Sequence, residues 1–283
     1  MTTQATLAAG SRGSAAATWF SANESKAWAE KFFLLYSPVW MLEMGVVMGS
    51  GAAKGWGDAG FLAHALLVAA PLVLVPALIG RERARGQRWY ETYWFKANLW
   101  IGVFGFVGNY FLSEYFFDVL GMVYRYPSIH LNLDSTLVGT GGQRVPIVMY
   151  LFTQAYFMTY HTTAVIVLRR IRTSGGLPTA GLGLPLRAAT VVLIAYFWAW
   201  AETRAMANPW IADQFAYRDL ARMLRYGSIF YACYFVVSFP MFSRLDERPG
   251  ENWSLRRTCV EALAAGMLVF FLLDLWAKII GPL

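Results

Sequence analysis

The run RTCVEALAAGMLVFFLLDLWAKII at 257–280 sets the architecture. A helix needs about 20 mostly apolar residues to cross roughly 30 Å of hydrocarbon, and between its flanks this run breaks its apolar character only at Glu261 and Asp274, with Lys278 close to the end. Working outward, comparable runs occupy 32–52, 58–80, 95–118, 147–168, 187–207 and 226–243. Together they predict an all-α polytopic transmembrane bundle of about seven spans, one domain over 28–283 behind a disordered tail at 1–27. The first residues, MTTQATLAAGSRGSAAAT, lack the apolar core of a signal peptide, so the first span is expected to direct insertion.

Composition agrees with this reading. The chain is 57% hydrophobic and 14% charged, against about a quarter charged in soluble domains, so most of its surface must face lipid. The net charge of +7 is no nucleic-acid signature, because the basic residues lie in short clusters between apolar runs, where they act as topology signals. Arg81, Arg83, Arg85 and Arg88, then Arg169, Arg170, Arg172 and Arg187, then Arg244, Arg248, Arg256 and Arg257 fall on one side. The positive-inside rule therefore puts the N-terminus in the cytoplasm. Cys233 and Cys259 supply neither a disulfide framework nor a metal spacing. VGTGG at 138–142 reads as a flexible loop, since no strand precedes it and no Gly-Lys-Ser/Thr follows. The absence of an internal repeat weighs against many transporter folds.

Ionisable groups within hydrocarbon cost several kcal/mol unless they face a cavity or a partner, so each marks a candidate site. The candidates are Glu43, Lys96, Asn98, Asn109, Glu114, His161, Glu202 and Asp274. At a rise of about 1.5 Å per residue, Glu202, Asp274, Glu114, Asn109 and Tyr231 fall on the non-cytoplasmic side of centre and His161 on the other. Glu202 and Asp274 form the more plausible pair, since two nearby carboxyls in a poorly solvated place cannot both ionise and one serves as an acid. Each of these groups has a plainer alternative as interhelical glue. Asn98 and Asn109, about three turns apart, share one face. Lys96 is expected to snorkel to the interface, and Glu43 has no obvious partner.

The segments YWFKANLWI (93–101), VGNYF (107–111), YFFDVLG (115–121), LRRIR (168–172), ETRAMAN (202–208), YFVVSFPMFSRLDE (234–247) and LDLW (273–276) resemble cycloeucalenol cycloisomerase, the cyclopropyl sterol isomerase family of phytosterol synthesis. The likeness runs from about Trp28 to Gly281 in unbroken motif order. Matching positions include Lys96, Asn98, Asn109, Tyr160, His161, Glu202, Asn208, Tyr231, Tyr234, Asp246, Glu247 and Asp274. Three departures stand out: SEYFF where plant members carry a His before YFF, a longer loop containing LDSTLVGTGGQR, and Glu43, whose lack of a counterpart argues against an essential role in the shared chemistry.

The resemblance implies an intramolecular lyase that opens the 9β,19-cyclopropane ring of a sterol to give the Δ8 sterol, with no metal and no organic cofactor. One group protonates C19, charge develops at C9, and a base removes the C8 proton. On this reading Glu202 donates the proton and Asp274 tunes or reclaims it, with His161 as the rival base. Asn109, Tyr231, Asn98, Glu114 and Tyr160 then line the sterol site. The resemblance fits a bacterial inner membrane or an endoplasmic reticulum membrane. The alternative is a non-catalytic membrane protein that binds or transports sterol or lipid.

Overall fold

A computed structural model describes residues 17–80, 86–137, 139–174 and 183–283. Helix α1 spans Glu24–Ser50, started by Asn23, whose side chain accepts from the Lys26 amide, and closed by Gly51 in the left-handed conformation at φ 68°. Thus the first helix begins inside the segment expected as tail, and residues 17–23 pack rather than trail: Trp19 offers its carbonyl to Arg169, and the Ser21 amide donates to Glu30. The run at 58–80 is not one straight span. It divides into α2 (Asp58–Ala69) and α3 (Pro71–Ile79), bent by 42°, because proline lacks the amide that would continue the helical ladder.

The run at 95–118 is likewise composite. Helix α4 (Tyr93–Val107) passes into a π turn at Gly108–Leu112 and then α5 (Ser113–Asp118). Helix α6 covers Ile147–Thr173 and α7 covers Gly183–Met206. Two more follow, α8 at Leu220–Ser243, capped by Asp219, and α9 at Leu255–Ile280, capped by Ser254. The all-helical expectation is corrected by one antiparallel pair, β1 (Met122–Tyr124) on β2 (Phe215–Tyr217), with Val123 opposite Ala216. The connections after α5 and after α7 emerge at the same end of the bundle, and their short aromatic stretches pair there to close it.

Among the described residues four helices, α1, α7, α8 and α9, are long and apolar enough to cross a membrane, or five spans if the bent α2–α3 pair counts as one. Large apolar side chains point outward from them, among them Leu35, Leu42, Leu193 and Phe271. Long apolar helices with apolar side chains on their outer faces fit a membrane protein. Inside, α7 packs on α8, α4 on α9, and α2 on α6. Arg81, Arg83 and Arg85, used as topology signals, lie outside the described residues, and Arg187 falls within α7 rather than in a loop.

At the end opposite the strands, charges are buried in opposite-sign groups. Arg169 donates to both Glu30 oxygens at 2.5 and 2.9 Å and to both Glu247 oxygens at 2.7 and 2.8 Å, and Lys26 Nζ lies 2.9 Å from Glu247. Lys96, expected at the interface, is fully buried instead, paired with Asp246 and bonded to Asn252. Its partner is 150 residues away in sequence, so only the folded chain brings the pair together. Burial pushes the Glu247 carboxyl up, but hydrogen bonds from Arg169 and the charges of Lys26 and Arg169 outweigh it and hold the group at about 2.

Candidate active site

At the strand-capped end the helices enclose a cavity of about 270 Å³, or about 1460 Å³ counting the atom-free space out through its mouth. Its wall is mostly aromatic and aliphatic, built from the C-terminal half of α1, the start of α2, the π turn, the first half of α6, the end of α7 and the first half of α8. The π turn widens the helix by one residue and brings Asn109 and Ser113 to the wall. Gly108 at its start packs closely on Tyr234: a Cβ there would lie 3.2 Å from the ring, which would have to give by a few tenths of an ångström.

Glu202 projects from the last turns of α7 into this space, and its Oε2 is buried with no hydrogen-bond partner. The same cavity is lined by Tyr124, Tyr156, Tyr160, Tyr231 and Tyr234. Tyr231 bonds Tyr217 on β2 at 2.9 Å, and Asn109 donates at 2.8 Å to Thr153, which bonds Tyr156 at 2.9 Å. Burial pushes the Tyr124 and Tyr217 phenols, on the capping strands, above the ordinary tyrosine range, and a charge at Glu202 would add to it. They are neutral hydroxyls at physiological pH. Tyr160 stacks on Trp198, with ring centroids 4.4 Å apart.

Of the residues chosen from sequence, Glu202, Asn109, Tyr231 and Tyr160 line this one cavity. Four others do not. Asp274, on α9 and 44% exposed, bonds Lys278 one turn on at 2.6 Å and is not part of the cavity wall. His161 is sealed at 0% exposure among Trp100, Phe104, Phe239 and Phe242, held by the Phe157 carbonyl at 2.7 Å and by Ser238 at 2.8 Å. Asn98 bridges the Leu72 and Trp94 carbonyls and accepts from Gln154, so it ties α3, α4 and α6 together. Glu114 is buried under the loop, where Gly139, at φ 71°, lies so close above it that no Cβ would fit.

Sequence reasoning passed over His64, which lines the cavity and bonds Glu43 at 2.9 Å. A histidine inside an apolar run was the available signal. Glu43, without an evident partner in sequence, thus has one across α1 and α2.

A curated protein named cycloeucalenol cycloisomerase, from Arabidopsis thaliana, is 40% identical to this chain over 274 residues, covering 96% of the chain and 93% of the relative. The chain belongs to the cycloeucalenol cycloisomerase family. No protein-family model matches it, and no solved structure does. Membership makes the chain an isomerase of the cycloeucalenol cycloisomerase type. The cavity joins an apolar lining to one buried, unpartnered acidic oxygen, that of Glu202.

Proposed function

We propose that the chain is a membrane-embedded isomerase that opens the 9β,19-cyclopropane ring of a cyclopropyl sterol, such as cycloeucalenol, to the Δ8 sterol, with Glu202 as the proton donor. The observation that carries this is the unpartnered, buried Glu202 carboxyl in a large apolar cavity. An ionised carboxylate without a partner is costly in such a place, so the neutral acid is the form the surroundings favour. It delivers its proton to C19. The C9–C19 bond supplies the electron pair for the new C19–H bond, and C9 is left positive. Loss of the C8 proton then forms the C8–C9 double bond.

The walls act on the cation in two ways. They keep water from capturing it, and ring faces such as Phe116 and Tyr234 offer electron density to the positive centre. Asn109, Tyr231 and Tyr160 complete the wall against which the sterol lies. One proton enters and one leaves, so the conversion is redox-neutral and calls for no organic cofactor.

The same reading takes α1, the α2–α3 pair, α4 through α5, α6, α7, α8 and α9 as seven spans, with the N-terminus cytoplasmic and the cavity in the opposite half of the bilayer. A bacterial inner membrane or an endoplasmic reticulum membrane suits it.

The test is conversion of cycloeucalenol, and separately of cycloartenol, by membranes carrying the protein, followed by mass spectrometry. The wild-type chain yields the ring-opened sterol, and Glu202→Gln lowers turnover by about 10² to 10⁴, the usual worth of a positioned acid. Near-normal turnover by Glu202→Gln would remove Glu202 from the donor role. Sterol bound or redistributed without conversion by the wild type would support the carrier alternative.

A further inference from the structure

The proposed reaction needs a proton acceptor as well as a donor, and neither Asp274 nor His161 reaches the cavity. Among the described residues that line it, the tyrosines are neutral phenols and poor acceptors, and the remaining ionisable side chains are Glu202 and His64. We propose that His64 is the base that takes the C8 proton and that Glu43 is the positioning residue that fixes its ring. The inference rests on the isomerase reading above and adds a second group to the same site.

The geometry is that of an oriented imidazole. His64, 6% exposed, stands on α2, a different helix from the one that carries Glu202. Its Nε2 lies 2.9 Å from Glu43 Oε2 on α1. A carboxylate only accepts, so Nε2 carries the proton and Nδ1 keeps its lone pair. Nδ1 bonds no group among the described residues and is not among the sealed polar atoms, so it is accessible on a residue that lines the cavity. The ring is held edge-on by Trp56 on one side and Phe152 on the other, each with its centroid 5.3 Å away. The nitrogen with the lone pair therefore has a fixed direction.

The step balances. The C8–H pair becomes the π bond to C9, and the proton passes to Nδ1. The resulting imidazolium lies against the Glu43 carboxylate, which offsets its charge. At that point Glu202 is ionised and His64 protonated. Water admitted when product leaves returns the proton from His64 to Glu202, and both groups are reset without a co-reactant. Acid and base then work from separate helices on one ring system. Glu43 acts only through His64, so its loss costs less than the loss of the ring itself.

The experiment measures kcat and KM for wild type, His64→Gln, His64→Ala, Glu43→Leu and Glu43→Gln in membranes, with cycloeucalenol carrying hydrogen or deuterium at C8. His64→Gln is expected to lose about 10² or more in kcat with KM kept and to show a larger C8 deuterium effect than wild type. Added imidazole restores part of the turnover of His64→Ala. Glu43→Leu lowers kcat by less, and Glu43→Gln regains part of that loss, because its amide oxygen still accepts from Nε2–H. The proposal is overturned if His64→Gln raises KM and keeps kcat, which would make His64 an anchor for the sterol hydroxyl, or if Glu43→Leu matches wild type. A wild-type chain that forms no ring-opened product overturns the isomerase reading itself. Normal wild-type turnover with unimpaired His64→Gln overturns this inference alone.

Discussion

Arg169, 3% exposed near the end of α6, is the pivot of the buried charge group at the end of the bundle away from the cavity. Its guanidinium donates to both oxygens of Glu30 and both of Glu247. The two carboxylates differ in what else they have. Glu247 keeps Lys26 at 2.9 Å and the half-exposed Arg172, whereas Glu30, 0% exposed, keeps only the Ser21 amide at 3.2 Å. Arg169→Met, close in volume, thus leaves one buried carboxylate uncompensated, at a cost of about 3–5 kcal/mol. With each kcal/mol worth about 2–4 °C in a chain of roughly this size, the melting temperature of the detergent-solubilised protein should drop by on the order of 10 °C. Removing the stranded charge as well, in Arg169→Met with Glu30→Met, should recover most of that loss, because the two effects are coupled. Tryptophan fluorescence during thermal unfolding reads both. A single variant that melts within about 1 kcal/mol of wild type, as expected for an exposed pair, or a double variant that melts no higher than the single, would refute the argument.

Two further outcomes follow from the same geometry. Glu247, held at about 2 against an ordinary 4.5, contributes stability that is complete above about pH 4.5 and disappears as pH falls toward 2, so acid unfolding should set in within that window. Glu247→Gln should flatten the fall. Asp274, outside the cavity and paired with Lys278, should tolerate Asp274→Asn with turnover within about twofold of wild type and only a few tenths of a kcal/mol of stability lost; a loss as large as that of Glu202→Gln would mean that α9 reaches the reacting sterol.

The seven apolar runs each became helix, because hydropathy over about 20 residues is a local property. The breaks inside two of them are local too, but subtler. Pro71 sets the bend between α2 and α3, while the π turn begins where Gly108 packs on Tyr234, a contact no run of sequence displays. For the site, rise per residue locates a group along the bundle axis but not around its own helix. Glu202 and Asp274 fall at one depth by rise per residue, yet only Glu202 lines the cavity, and the Lys278 spaced four residues after Asp274 was the hint that it had a surface partner. The pairing of His64 with Glu43, 21 residues apart, and that of Lys96 with Asp246 are decided by which helices become neighbours. Extended backbone at 122–124 and 215–217 went unseen because three-residue strands carry almost no periodic signal.

The π turn at Gly108–Leu112 also works as a phase adjuster. Helical residues are spaced about 100° apart around the axis, so deleting a single residue there would straighten the rod and rotate everything on one side of it by that angle. Because α4 is engaged by α6 and α9 while α5 leads directly into β1, neither half is free to turn alone. The chain would have to choose between presenting Asn109 to the sterol chamber and keeping its lid of strands seated, which gives length changes at this one place a far larger effect than their size suggests.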